Sequence, residues 1–184
     1  MTTKHILLFA ALVPAALIAQ DKYGTRSGHI SFHSSTPVED IEAHNHKVSA
    51  VFDPATNAIQ FAVVIKAFEF EKALMQEHFN ENYMESNTYP KAEFKGKVSG
   101  FGAEQLRKGG GTHTVQVAGD LTIHGVTKPV SHAGSIVINA DGSLKCTSEF
   151  IVKPEDHGIK IPGMVRKNIA EEITVKVDAT LTKL

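Results

Sequence analysis

Ile173-Thr174-Val175-Lys176-Val177-Asp178-Ala179-Thr180-Leu181 reads with a period of two. Ile173, Val175, Val177, Ala179 and Leu181 fall on one side of an extended strand, and Thr174, Lys176, Asp178 and Thr180 fall on the other. Successive side chains of a strand point to opposite faces, so this segment has one dry face and one wet face. Working backwards, the same rhythm recurs. Ile30 and Phe32 share a face, with His29, Ser31 and His33 opposite. Val48, Ala50 and Phe52 alternate, Asp53 to Asn57 forms a Pro-containing turn, and Ile59, Phe61, Val63 and Ile65 resume the alternation. This pair reads as a hairpin. Further strands are marked by Ala92, Phe94, Val98 and Phe101, by Val115, Val117, Leu121 and Ile123, by Val130, Ile136 and Ile138 after Pro129, and by Leu144, Cys146, Phe150 and Val152.

Two places break the rhythm. At Phe68 and Phe70 the apolar phase slips by one, which requires a bulge or a strand end. Leu74, Met75, His78, Phe79 and Tyr83 then recur at spacings of three and four, which predicts one short helix ending before Tyr89-Pro90. Lys108-Gly109-Gly110-Gly111 reads as a hairpin tip; a phosphate cradle needs a strand before the glycines and a helix after them. Pro154 to Asn168 is a long connection. About eight strands with one short helix predict an all-β fold, a closed or nearly closed antiparallel barrel.

The composition agrees. The chain has 184 residues, 42% of them apolar and 21% charged, which suits one globular domain and excludes disorder or a bundle of membrane helices. A formal charge of -1 with no basic stripe excludes a nucleic-acid partner. Residues 1–20 differ from the rest. Lys4 and His5 precede an apolar run from Ile6 to Ala19, and small residues mark its end. This reads as a secretory signal cleaved after Ala19 or Gln20, with residues 21–184 as the folded domain; a buried N-terminal helix is the alternative. The protein is then expected in the periplasm or outside the cell. Cys146 is the one cysteine, so no internal disulfide is available, and its apolar neighbours make it a core residue.

Ten histidines raise the question of a metal. His44 and His46 would share a side if extended, as would His29 and His33. Zinc needs three or four converging ligands, and neither a Cys pair nor an HExxH helix supplies them. Surface or structural histidines are the default, including His124 and His132. No G-x-S-x-G elbow is present, and Glu171-Glu172 would point apart in a strand. No catalytic residue, metal or cofactor is expected. The dry interior of a small barrel remains, and it can be filled with side chains or hold a ligand. A chain-like lipid suits it, because each buried CH₂ contributes ~0.8 kcal/mol and few polar contacts are needed.

Two stretches carry a family resemblance. His78-Phe79-Asn80-Glu81-Asn82-Tyr83-Met84-Glu85-Ser86, continued by Tyr89-Pro90-Lys91-Ala92-Glu93-Phe94, resembles the YceI-like family. So does Gly119-Asp120-Leu121-Thr122-Ile123-His124-Gly125-Val126-Thr127-Lys128-Pro129-Val130. The resemblance implies an exported bacterial protein with an extended eight-stranded antiparallel barrel, lipocalin-like in shape, holding an isoprenoid chain inside. It brings no catalytic residues. Relatives carry an Arg shortly before an Asp-aromatic-Gly step; here Lys153-Pro154-Glu155-Asp156-His157-Gly158 stands there, and Pro154 removes a backbone donor, so this loop is expected to take its own path.

The leading expectation is an exported soluble carrier of polyisoprenoid or another long-chain amphiphilic lipid. The alternatives are a small outer-membrane barrel, a ligand-free stress or interaction protein with a filled core, and a dispersed metal-assisted enzyme. The residues expected to line the cavity are Phe61, Val63, Ile65, Leu74, Met75, Phe79, Val117, Leu121, Phe150 and Val175.

Overall fold

The computed structural model describes residues 21–184; the apolar N-terminal run, with its expected cleavage, lies outside the described residues. The strands are β1 (Tyr23–Ser35), β2 (Asp40–Asp53), β3 (Ala58–Val64), β4 (Glu69–Phe70), β5 (Lys91–Ser99), β6 (Thr112–Ile123), β7 (Val126–Ile138), β8 (Leu144–Val152) and β9 (Ile173–Lys183). They pair in the order β1-β9-β8-β7-β6-β5-β3-β2, and β1 pairs with β2 to close the ring. Every pairing is antiparallel. The eight-stranded barrel expected from the alternation is therefore the observed fold. The two-residue β4 adds to β2 beside Ala43 and His44.

Local chemistry explains where the rhythm breaks. After β3 the chain makes a 3₁₀ turn over Ile65–Ala67, and this turn is the phase slip seen at Phe68. The expected helix is α1 (Ala73–His78), continued by a π turn over Phe79–Tyr83. A second short helix, α2 (Ala103–Lys108), was not legible in the sequence. Because of it, Gly109, Gly110 and Gly111 are not a hairpin tip. They lead out of α2 into β6, all at positive φ. β7 begins at Val126, before Pro129. Pro129 is tolerated inside it because β8 pairs with β7 only along Gly134–Ile138, so the missing N–H breaks no ladder bond.

Two bulges set the facing of the first strands. The β1–β2 register shifts between Thr25 and Gly28 and again between Gly28 and Ile30. Tyr23 and Ile30 consequently both face inward, as do Ala43, Asn45 and Val48. Asn45 is fully buried, and its side chain replaces the interrupted ladder. Its Nδ2 donates to the Val64 carbonyl at 2.9 Å, and its Oδ1 accepts the Lys47 N–H at 2.9 Å. On the opposite wall Gly96 pairs with Gly119. A Cβ on Gly119 would stand 2.4 Å from Gly96 Cα, so no side chain fits between the strands there.

One end of the barrel is solid. Phe52, Ile59, Val98, Phe101, Val115, Ile136, Leu144, Cys146, Ala179 and Leu181 pack into a single buried cluster, with Leu106 of α2 against it. The helical segment 73–83 and the long connection after β8 lie over the other end. There Ile65, Met84 and Ile159 make a small buried cluster that ties the two together.

Candidate functional site

The inward face is apolar along the whole barrel, yet burial is uneven. Phe52, Leu144 and Leu181 are completely shut off from solvent in the solid end. Phe32, Phe70, Phe79, Phe150 and Val175, also inward, are only half-buried. They are half-buried because they face a hollow. A cavity of about 370 Å³ lies under α1 and the long connection, within the ~300–1,000 Å³ range of small-molecule sites. A second chamber of about 110 Å³ lies deeper, against the solid end. Ile30, Val63, Ala92, Leu121 and Phe150 line both, which makes them successive chambers of one hollow.

Aromatic packing shapes the outer chamber. Phe32, Phe68, Phe70 and Phe79 form a cluster with ring centroids 5.0–5.8 Å apart. It joins β1, the phase-slip segment and the π turn. The long connection contributes Ile159, Ile161, Val165 and Ile169. It is anchored at both ends. Near its start, a 3₁₀ turn over Pro154–His157 buries His157, whose Nδ1 donates to the Val126 carbonyl at 3.1 Å. Further on, Asn168 Nδ2 donates to Glu39 Oε2 at 3.0 Å and the Ala170 N–H donates to Ser34 Oγ at 2.8 Å. Pro154 thus starts a local turn.

Of the residues expected in the wall, Val63, Ile65, Met75, Phe79, Leu121, Phe150 and Val175 line the outer chamber. Phe61 and Val117 line the inner one. Leu74 does not line either and is corrected here: it is 61% exposed. Met75, Phe79 and Tyr83 recur every four residues and take the inner side of the helical segment, and Leu74 falls one position off that row. The wall has further residues. Phe32 and Ile173 were legible as inward by their alternation. Ile159 and Ile161 carry no periodic signal, since their connection is irregular. His132, expected to be structural or partly exposed, lines the inner chamber in phase with Val130 and Ile136.

Among the described residues the histidines lie away from the chambers' apolar lining, apart from His78 and His132. His29, His44 and His46 lie together on the outer wall. Their rings are stacked, and His29 Nε2 is 3.1 Å from His44 Nδ1. Burial, with His46 and His44 beside it, holds the His29 imidazole below its ordinary value. Among the described residues no three His, Cys, Asp or Glu side chains are placed to hold a metal ion. Cys146 lies in the solid end, where burial pushes its thiol up to about 12; a thiolate nucleophile is unavailable there.

The outer surface decides between two kinds of barrel. Lys95, Lys97, Lys145, Glu149, Lys176 and Asp178 all point outward and are exposed. A lysine at mid-depth on a lipid-facing wall costs ~2–4 kcal/mol, so the outer-membrane alternative is set aside. No described helix is long and apolar enough to cross a membrane.

The model of the YceI-like domain matches residues 23–181. The chain belongs to the YceI-like family. This is a family of lipid-binding, non-catalytic barrels, and the match spans the whole ring of strands described above. Comparison with curated proteins returns no match. Among solved structures, the chain is similar to a polyisoprenoid binding domain from Saccharophagus degradans implicated in plant cell wall breakdown, with 12% identity, a TM-score of 0.76, and 90% of this chain and 99% of that one covered. It is also similar to Burkholderia cenocepacia BcnA, at 18% identity and a TM-score of 0.68 over 84% of this chain and 96% of that one. The Campylobacter jejuni YceI protein matches at 15% identity and a TM-score of 0.55, over 100% of this chain and 91% of that one. At these identities the shared property is the fold. Family membership and the inward apolar face together make this a lipocalin-like barrel.

Proposed function

We propose that the protein is exported and carries, or sequesters, a polyisoprenoid or similar long-chain amphiphilic lipid inside the barrel. The observation that carries this reading is the uneven burial of the inward face. A filled core would bury Phe32, Phe79, Phe150 and Val175 as fully as it buries Phe52. Instead they border about 370 Å³ of apolar hollow. Leaving such surface uncovered forfeits ~25 cal/mol per Å², which a hydrocarbon chain recovers. The likeness to a polyisoprenoid binding domain supports the choice of ligand class. Export is supported by the signal-like N-terminus, Lys4-His5 followed by the run Ile6 to Ala19.

The test is extraction of protein purified from its native host into organic solvent, followed by mass spectrometry. A long-chain lipid recovered in proportion to protein is the expected result. A clean extract, together with no uptake of added polyprenol by the stripped protein, overturns the proposal.

A further inference from the structure

One seam of the ring is partly unzipped. β7 pairs with β6 along Val126–Val137, and β8 pairs with β9 along its whole length, Leu144–Val152. Toward each other the two strands pair only where Gly134–Ile138 meets Leu144–Ser148. Beyond Gly134 and Ser148 the ladder stops. Val126–Ala133 and Glu149–Val152 are then strand edges that face each other without inter-strand backbone bonds. The interruption of the β1–β9 ladder between Gly24 and His29 is different, because paired residues follow on both sides of it. The far end of the β7–β8 seam is held by a side chain instead, His157 Nδ1 on the Val126 carbonyl at 3.1 Å.

Side chains fill this seam. Counting on from Gly134 and Ser148, His132 stands level with Phe150 and Ser131 with Ile151. The His132 ring lies flat on that of Phe150, with centroids 4.4 Å apart and planes 16° from parallel. Ser148 Oγ donates to the Ala133 carbonyl at 2.8 Å, serving an acceptor on the free edge. Val130, His132, Ser148 and Phe150 all border the inner chamber, so the seam runs along that chamber's wall. Ser131 and Ile151 are exposed on its outer side. His132 Nε2 is shut off from solvent and has no hydrogen-bond partner. When the stack parts, water reaches this atom, so the open seam gains a hydrogen bond that the closed seam lacks. The end of the barrel over the outer chamber is tied more firmly. Glu39 holds Asn168 and Lys72, the Ala170 N–H donates to Ser34 Oγ, and Ile65, Met84 and Ile159 are buried together.

We infer that the unzipped β7–β8 seam is a lateral gate: the His132–Phe150 stack parts, and a lipid passes between the two strands into the inner chamber while the covered end stays shut. The inference rests on the lipid-carrier reading and adds the route by which the cargo enters and leaves. Each strand keeps its full ladder to its other neighbour, so the two edges separate without breaking a β7–β8 backbone bond. Segments with few such bonds to lose are the ones that open locally. Ile151, exposed beside the stack, offers an arriving hydrocarbon chain an apolar contact.

The experiment follows the rates of uptake and release of retinol, a fluorescent isoprenoid alcohol, on the lipid-stripped full chain. A Ser131→Cys/Ile151→Cys double variant is bridged across the outside of the seam with a short, reducible bifunctional thiol reagent; Cys146 is buried and does not compete. Both rates are expected to fall about tenfold in the bridged protein, as for a gate that limits passage, and to recover when the bridge is reduced. The control places the same bridge across the intact β6–β7 seam, in Gln116→Cys/Ser131→Cys, where the parent side chains already meet at 2.9 Å. Neither rate is expected to change there. Equal slowing by both bridges, or no slowing by the first, overturns the inference and leaves the carrier reading standing. Failure of the unmodified protein to take up retinol overturns both. Phe150→Leu tests the gate without a bridge: it keeps the wall apolar, removes the stack, and should raise both rates several-fold. Unchanged rates in that variant overturn the gate by themselves.

Discussion

The two ends of this barrel are built from the same alternation and do different things. At one end Phe52, Leu144 and Leu181 are completely buried in one packed cluster, and the inner chamber stops against its Ile59, Ile136 and Cys146. At the other, Phe32, Phe79, Phe150 and Val175 meet a hollow. The difference lies in what fills the axis. Phe101 and Leu106 turn in from the α2 segment and plug the solid end. At the hollow end, α1 and the long connection lie over the opening without entering it. Close packing is therefore concentrated in one half and empty apolar volume in the other. This separation lets a lipid carrier keep an uncollapsed cavity, because close packing elsewhere holds the ring open.

The contrast can be broken most severely at the solid end. Phe52→Ala is expected to cost about 3–5 kcal/mol, as for a fully buried Phe. Cys146 reports the damage. Buried with its thiol at about 12, it should resist alkylation at pH 8 in the parent protein and label readily in the variant. Equal labelling would mean that the solid end is not the stabilising half. Phe61→Asp, at the boundary between the two regions, puts an unpaired carboxylate on an apolar wall and is expected to destabilise the barrel as well. It should nonetheless abolish retention of polyprenol in a protein that circular dichroism shows to be folded. Retained binding in that variant would remove Phe61 from the site.

Acid supplies a gentler probe. The His29 and His132 imidazoles are held below their ordinary values, chiefly by burial. Below about pH 6.5, the ordinary histidine value, the unfolded chain binds protons that the folded barrel does not. Stability is then fully present above that pH and declines as pH falls through the lowered folded values. Melting temperatures between pH 7.5 and 5 should fall, and His132→Phe should flatten the curve. A variant curve parallel to the parent's would show that His132 is not desolvated. The smallest effect belongs to Leu74→Ser. Leu74 is exposed and off the wall, so stability should stay within about 0.5 kcal/mol and lipid retention should not change. A loss of retention would put Leu74 back in the site.

Much of this was legible in the chain. The run from Ile173 to Leu181 specified a strand with one dry side. Its repetition in eight segments specified a closed antiparallel ring, because only closure leaves no edge and encloses every dry face together. Most of the wall was legible for the same reason: Val63, Leu121, Phe150 and Val175 are inward by count alone. Alternation failed where the backbone leaves it. α2 follows Phe101 with too few residues to show a helical period. Ile159 and Ile161 sit in an irregular connection, and Leu74 lies one step off the inner row of a helix that widens to a π turn.

The sequence alone thus determined which side of each strand is dry and that the dry sides share one interior, since alternation is a local property of the extended backbone. Tertiary structure alone decided which inward side chains touch one another and which face space. That outcome depends on volumes contributed by residues far apart in the chain, as with Phe52 against Phe101 and Leu144 against Leu181. It also decided that His132 stands inside, where β7 and β8 part. A histidine in phase with valine and isoleucine is buried or exposed according to what the neighbouring strand does, and no local pattern records that.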